Sequence, residues 1–188
     1  MARPRSDDRR AAITAAAMRI IAAQGLGAAA TAAIAKEARV SNGSLFTYFD
    51  TKADLLNQLY LELKAEMGAA ALGGLPAADD RAQMLHLWSR WMRWATTNPQ
   101  KRRALARLQV SDEITASTHE AASRSMAGMG KVLERSRANG PMRDAPAALV
   151  FALCNGLAEA TIDYVIGDPD HADEHTQAGF DALWRMMG

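Results

Sequence analysis

"VSNGSLFTYFDTKADLL", residues 40 to 56, is the stretch on which the reading of this chain turns. It sets Phe46, Tyr48 and Phe49 between a run of small polar residues and an amphipathic segment. Three aromatics within four positions do not all share one buried face, because side chains three and four apart meet on a helix and adjacent ones diverge. With Ser41 as N-cap, a short helix runs through about Phe49. Leu45 and Phe49 then point inward with Val40, while Ser44, Thr47 and Tyr48 fall on other faces and Phe46 sits between the two groups.

Helical periodicity extends in both directions. Upstream, Ile13, Ala17, Ile20 and Ile21 form one buried stripe, and Gly25 supplies the left-handed position that ends the helix. Thr31 opens a second short helix, with its hydroxyl placed to cap the free amides and Ile34, Ala35 and Ala38 turned inward. Downstream, Thr51 and Asp54 carry the Ser/Thr-x-x-Asp/Glu signature of a helix start, and Leu56, Leu59, Tyr60 and Leu63 mark a buried stripe over residues 51–67. The glycines and proline of "GAAALGGLPAADD", residues 68–80, read as the boundary between units. Further helices are expected at about 79–96, 99–110, 112–138, 146–166 and 171–187, interrupted at Asn98-Pro99, Asn139-Gly140-Pro141 and Gly167-Asp168-Pro169.

The class is therefore all-α, with no alternating strand pattern and no internal repeat. An N-terminal three-helix domain over 1–52 is linked by the 51–67 helix to a helical domain over 68–188.

The 188 residues, 49% hydrophobic and 23% charged, suit a globular chain with one large core or two small ones. No apolar run approaches the roughly 18 to 20 residues of a spanning helix, and "MARPRSDDRRAA" turns charged where a signal peptide turns apolar. A cytoplasmic protein with no membrane partner is expected. The single Cys154 excludes an intramolecular disulfide and a multi-cysteine zinc site. Charge is uneven: residues 1–52 hold eight Lys and Arg against four acids, a net +4, and the remainder is −3. A basic first quarter suits a polyanionic partner.

Two short helices joined by a tight turn, the second opening on small residues, are the requirement of a helix-turn-helix, whose second helix enters the DNA major groove. Phe46 would cover the domain edge or touch sugar and thymine methyl groups. Lys52 sits in the first turn of the next helix, where the dipole disfavours a cation and a phosphate in front would repair the mismatch.

Residues 9–60 resemble the DNA-binding domain of the TetR family of bacterial transcriptional regulators. Val40, Ser41, Gly43, Ser44, Leu45, Phe46, Tyr48, Phe49, Lys52, Leu55 and Leu56 occupy the places of that family's recognition segment, with Ser for Thr and Phe for Tyr; Thr31, Ile34 and Ala35 match its second helix. The resemblance implies that Thr31, Tyr48 and Lys52 bind phosphates, and that Asn42, Gly43, Ser44 and Thr47 face base edges with Phe46 beside them. Asn42 suits either a bidentate contact to adenine or a phosphate bond. Two residues depart from the pattern. Arg39 stands where the family usually has Gly before the turn, a left-handed position at which a side chain costs on the order of 1 kcal/mol, offset if Arg39 reaches a phosphate. Asn42 stands where relatives often carry Lys, which removes a charge contact.

Beyond about residue 68 the resemblance is one of architecture. It implies a two-fold dimer in which the last two helices pack as a four-helix bundle with their mates. Ala148, Ala152, Gly156 and Ala160 at four-residue spacing permit close helix approach, with Phe180, Leu183, Trp184 and Met187 behind them. For an effector pocket, Met84, Trp88 and Trp91 lie along one stripe of "MLHLWSRWMRWATTNP", with Met92 and Trp94 flanking. Met126 and Met129 recur later, and Phe151 and Cys154 are counted with them. Aromatics and adaptable methionines suit an apolar cavity, although ordinary core is an equal reading for any one of them. His86 and Glu159 are candidates to orient a ligand.

His171 and His175 are four apart, but "HADEH" reads as a polar helix start rather than a metal motif. "KRRALAR", residues 101–107, reads as an amphipathic helix with a solvated basic face. No nucleophile and base at readable spacing, no phosphate loop and no metal set is present, so no catalytic residue, cofactor or metal is assigned. The expected function is a ligand-responsive DNA-binding regulator, a repressor released from a pseudo-palindromic operator by a small, largely hydrophobic effector. A constitutive DNA-binding helical dimer is the alternative, and a small helical enzyme is the remotest one.

Overall fold

The computed structural model describes residues 3–188, with side chains from Asp7 onward, so Arg3 and Arg5 of the basic first quarter lie outside the described side chains. Ten α-helices and no strand are present among the described residues. The helices are α1 (Arg3–Gln24), α2 (Thr31–Glu37), α3 (Asn42–Tyr48), α4 (Lys52–Leu72), α5 (Asp80–Thr97), α6 (Pro99–Gln109), α7 (Ala116–Ser125), α8 (Ala127–Arg137), α9 (Ala147–Gly167) and α10 (Ala172–Met187).

Two compact units divide the chain. The first takes the residues up to Ala65 together with Asn98–Arg124, and the second takes Glu66–Thr97 and Ser125–Gly188. The expected division at residues 52 and 68 puts the 98–124 segment with the C-terminal domain; the structure groups it with the N-terminal helices.

In the first unit, Ile13, Ala17, Ile21, Ile34, Leu45, Phe49, Leu55 and Leu56 are buried, as the stripes of α1 to α4 require. A second layer comes from α6, which packs along α1 and buries Ala104, Leu105 and Leu108. Arg107 explains part of "KRRALAR": its guanidinium donates to the Ile21 carbonyl in the last turn of α1, which also accepts the Gly25 amide at 3.0 Å, so a cation stands at the negative end of the helix. Gly25 follows at φ 90°, where a Cβ would lie 3.8 Å from Arg107.

In the second unit, the tail of α4 runs beside α5 through three side chains at four-residue spacing. The His86 ring donates to the Gly73 carbonyl at 2.9 Å, Arg90 Nε to the Ala70 carbonyl at 3.1 Å, and Trp94 Nε1 to Glu66 Oε1 at 3.0 Å. Two of these satisfy carbonyls at the end of α4 that have no partner within the helix. The helix therefore continues to Leu72, past the expected end at 67, and the left-handed turn falls at Gly74, φ 71°.

The expected helix over 112–138 is two helices. Residues 110–115 form turns ahead of α7, and α7 and α8 break at Met126, φ −95° and ψ 4°. The break is tied to packing: a Cβ on Gly68 would lie 2.7 Å from Met126 Sδ, and one on Gly128 would lie 3.0 Å from Leu72 Cδ1. Farther on, Arg137 donates through Nη1 to the carbonyls of Met142 at 2.9 Å, Arg143 at 3.2 Å and Ala145 at 2.8 Å, which fixes the turn before α9.

The α9 helix corrects the reading of the chain's hydropathy. Its 21 residues, mean hydropathy 1.5, are long and apolar enough to cross a membrane by length and composition. Asn155, Glu159 and Asp163 hid this, since they break the helix into short apolar runs although its mean stays apolar. Val150, Cys154, Ala158, Ile162 and Val165 form its buried stripe, and α9 packs against α5 and α10.

Candidate nucleic-acid interface

The recognition segment folds as its residue types dictate. Ser41, in extended backbone at φ −72° and ψ 153°, caps α3 by accepting the Ser44 amide at 3.0 Å. At the other end, Thr51 Oγ1 accepts the Asp54 amide at 3.0 Å, while Asp54 Oδ2 reaches back to the Asp50 amide at 3.2 Å. This is a capping box shifted by one residue, and it makes α3 and α4 separate helices. Leu45 and Phe49 are buried, Val40 and Tyr48 are half-buried, and Phe46 is 44% exposed. Phe46 therefore belongs to the outer face.

Asn42, Gly43 and Thr47 are exposed on that face and Ser44 is half-buried. Space over Gly43 is open, since a Cβ there would meet only Ser41 Oγ at 4.0 Å. The Thr47 hydroxyl donates to the Gly43 carbonyl at 3.3 Å within its own helix. Thr31 does not cap α2: the N-cap is Ala30, with no side-chain cap bond, so the Thr31 hydroxyl stands in the first helical turn. Arg39 is at φ 57°, the one non-glycine residue at positive φ among the described residues, as the substitution for Gly requires.

Several residues that fix this interface carry no signal in a single sequence. Arg10 of α1 donates to Glu62 Oε1 at 2.8 Å and to Gln58, and stacks its guanidinium 5.3 Å from the centroid of Phe49. It ties α1, the end of α3 and α4 together. Lys52 pairs with Glu113 at 3.3 Å, and Asn57 bonds the backbone of the same segment. Near them Tyr60 is buried, donates its hydroxyl to Gln109 Oε1 at 2.7 Å, and stands edge-on to His119 with centroids 5.2 Å apart. Burial pushes its phenol up to about 12. Only the register of 109–119 against α4 reveals these contacts, because their sequence separations exceed fifty residues except for that of Tyr60 with Gln109.

The residues proposed for an effector are divided by the structure. Met84, Trp88, Met92 and Cys154 are buried, Trp91, Met126 and Met129 are half-buried, and Phe151 is exposed. Trp88 is a packed core residue: its indole donates to the Thr176 carbonyl at 2.9 Å, and a Cβ on Gly179 would lie 2.8 Å from its ring. Trp91 meets Trp88 edge to face at 6.5 Å. His86 is engaged in capping α4. Of the residues proposed for the dimer interface, Ala152, Gly156 and Ala160 are exposed and Trp184 is half-buried. Phe180, Leu183 and Met187 are buried within the protomer, since they form the inner stripe of α10 against α9 and α5. Asp168 accepts from His171 Nδ1 and His175 Nε2, both at 3.0 Å, and these bonds hold its carboxyl below the ordinary range. No group of three or more metal-ligating side chains in metal-binding arrangement occurs among the described residues.

A short helix capped by Ser41, presented outward beside α2 and braced by α1 and α4, defines a helix-turn-helix head of the class found in DNA-binding proteins. Residues 13–59 match the family model described as bacterial regulatory proteins of the tetR family. The chain is similar to a tetR family transcription regulator from Shewanella sp. PV-4, at 27% identity over 95% of this chain and 97% of the other, TM-score 0.85. Its fold is shared by a TetR family regulator from Marinobacter aquaeolei VT8, at 22% identity over 97% of this chain and 96% of that one, TM-score 0.80. A TetR family protein from Vibrio parahaemolyticus matches at 20% identity, 94% and 96% coverage and TM-score 0.74. Its head thus matches the tetR family model, and over its whole length the chain shares the fold of TetR-family transcription regulators.

Proposed function

We propose that the protein is a cytoplasmic, homodimeric repressor that leaves its operator when a small, largely hydrophobic effector binds the second unit. The observation that carries the DNA-binding half is the outer face of α3, where Asn42, Gly43, Phe46 and Thr47 are exposed while Leu45 and Phe49 are buried. Asn42, Ser44 and Thr47 read base edges with Gly43 permitting close approach, and Phe46 contacts sugar or thymine methyl. Thr31, Arg39, Ser41, Tyr48 and Lys52 hold phosphates, which supply affinity and register rather than sequence preference.

Dimerisation is supported by the outer side of α9, where Leu149, Leu153, Tyr164 and Ile166 are exposed beside Ala152, Gly156 and Ala160. An apolar stripe of this size calls for a partner surface. A two-fold dimer then offers one recognition helix to each half of a pseudo-palindrome. The effector enters beside the half-buried Trp91, Met126 and Met129, and only a ligand that prefers the DNA-incompetent state releases the operator.

The test is a gel shift with the DNA upstream of the protein's own gene, followed by addition of medium-chain fatty acids or planar aromatics. Binding at low salt and release by one of these ligands are expected. Tyr48→Ala, with helicity unchanged, should abolish binding to duplex of any sequence; normal binding by that variant would overturn the assignment of the outer face. Binding that no apolar ligand reverses favours a constitutive DNA-binding dimer.

A further inference from the structure

The segment between α6 and α7 lies along the first half of α4 and is fixed there by side chains of α4. Asn57 donates from Nδ2 to the Glu113 carbonyl at 2.8 Å and accepts the Thr115 amide at Oδ1 at 3.0 Å. One amide group thus serves the loop backbone as both donor and acceptor, which sets the register of residues 113–115. The Glu113 amide donates to Ser111 Oγ at 3.2 Å, and Thr115 Oγ1 accepts the Thr118 amide at 3.2 Å, so the loop is also closed on itself. In that register Glu113 Oε1 lies 3.3 Å from Lys52 Nζ.

Lys52 is in the first turn of α4, where the amide dipoles disfavour a cation and an anion in front is stabilising. Glu113 is that anion in the free protein. A DNA phosphate within hydrogen-bonding distance of the same ammonium would meet the Glu113 carboxylate at close range, and two like charges at one ammonium repel. Phosphate and Glu113 therefore compete.

We propose that Ser111–Thr115 is a charge latch on the DNA-binding head: Glu113 competes with backbone phosphates for Lys52, and undocking of the segment from Asn57 raises affinity for DNA. This regulation rests on the reading of Lys52 as a phosphate contact. Both partners are partly exposed, with side-chain accessibilities of 34% and 42%, so added salt screens the pair. The latch acts most strongly at low ionic strength, where phosphate-driven non-specific binding is strongest. It damps that binding.

The experiment is fluorescence anisotropy on a duplex of about 30 base pairs between about 50 and 300 mM KCl, with wild type, Glu113→Gln, Lys52→Gln and the double variant. Glu113→Gln should bind roughly two- to five-fold tighter at the lowest salt, with the gain fading as salt rises. In the Lys52→Gln background the gain should vanish. An equal gain in that background would show a general field effect, and no gain in either would show no competition; each overturns the latch. Hydrogen exchange without DNA reads the docking itself: the Thr115 amide should be protected in wild type and exchange faster in Asn57→Ala. Equal exchange in the two proteins also overturns the latch. Failure of every variant, wild type included, to bind any duplex overturns the DNA-interface reading, and the latch with it.

Discussion

The Ser44 amide donates to Ser41 Oγ at 3.0 Å, and this single bond starts the recognition helix. A helix of seven residues has almost no stability of its own, since nucleation is costly and few internal bonds form. Ser41→Ala should cost about 1 kcal/mol, measured as a lower midpoint in urea denaturation, whereas Ser41→Asp should retain most of it. An unchanged midpoint for the alanine variant would mean that Leu45 and Phe49 alone hold α3.

Arg39 occupies φ 57° immediately before the turn into α3, a conformation that costs an ordinary side chain roughly 1–2 kcal/mol. Arg39→Gly removes that cost but adds freedom to the unfolded chain, so a net gain of about 0.5–1 kcal/mol is expected in thermal or urea denaturation. Arg39→Ala keeps the strain and should be near neutral. If Arg39 also meets a phosphate, both variants lower the slope of log affinity against log salt by about one. Destabilisation by glycine would sink the strain argument.

Burial raises the Tyr60 phenol to about 12, because the tyrosinate would lose its hydration inside the first unit. A raised folded-state value favours the neutral form in the native protein. Its contribution is full below the ordinary tyrosine value near 10 and is lost as pH rises from about 10 to about 12. Two units correspond to an effect on the order of 2 kcal/mol. Denaturation midpoints followed over that range should fall more steeply for wild type than for Tyr60→Phe. Parallel curves would refute the assignment.

The recognition segment was legible because its interactions are local. Ser41 with Ser44, Thr51 with Asp54 and Leu45 with Phe49 are three or four residues apart, the range over which a sequence pattern speaks directly to geometry. The left-handed backbone at Arg39 was legible only through the resemblance, in which that position is usually Gly, because Arg itself carries no such preference. The α6 and α7 region was not legible in the same way. Arg107 caps a helix end 86 positions upstream, and Glu113 meets Lys52 across 61 positions, so "KRRALAR" reads as a solvated basic face until α1 is set beside it. In the second unit, aromatic and methionine stripes mark burial without distinguishing core from pocket. The Trp88 bond to Thr176 and the tight fit at Gly179 decide for core at that residue.

The same distinction between core and interface can be tested on α9 with one residue. Gly156 is exposed, and a Cβ there would meet nothing within 4 Å inside the protomer. Gly179 on α10 is the contrast, because a Cβ there would fall 2.4 Å from Thr161 Oγ1. Gly156→Leu therefore leaves protomer packing intact and, by replacing a mid-helix glycine with a good helix former, should stabilise an isolated protomer by roughly 0.5–1 kcal/mol. If α9 packs closely against its mate, the same leucine fills the space that the partner backbone needs. Sedimentation should then show a shift from dimer to monomer with helicity unchanged, and operator affinity should fall because the two heads are no longer joined. A Gly156→Leu protein that remains fully dimeric would place the partner surface elsewhere than on this side of α9.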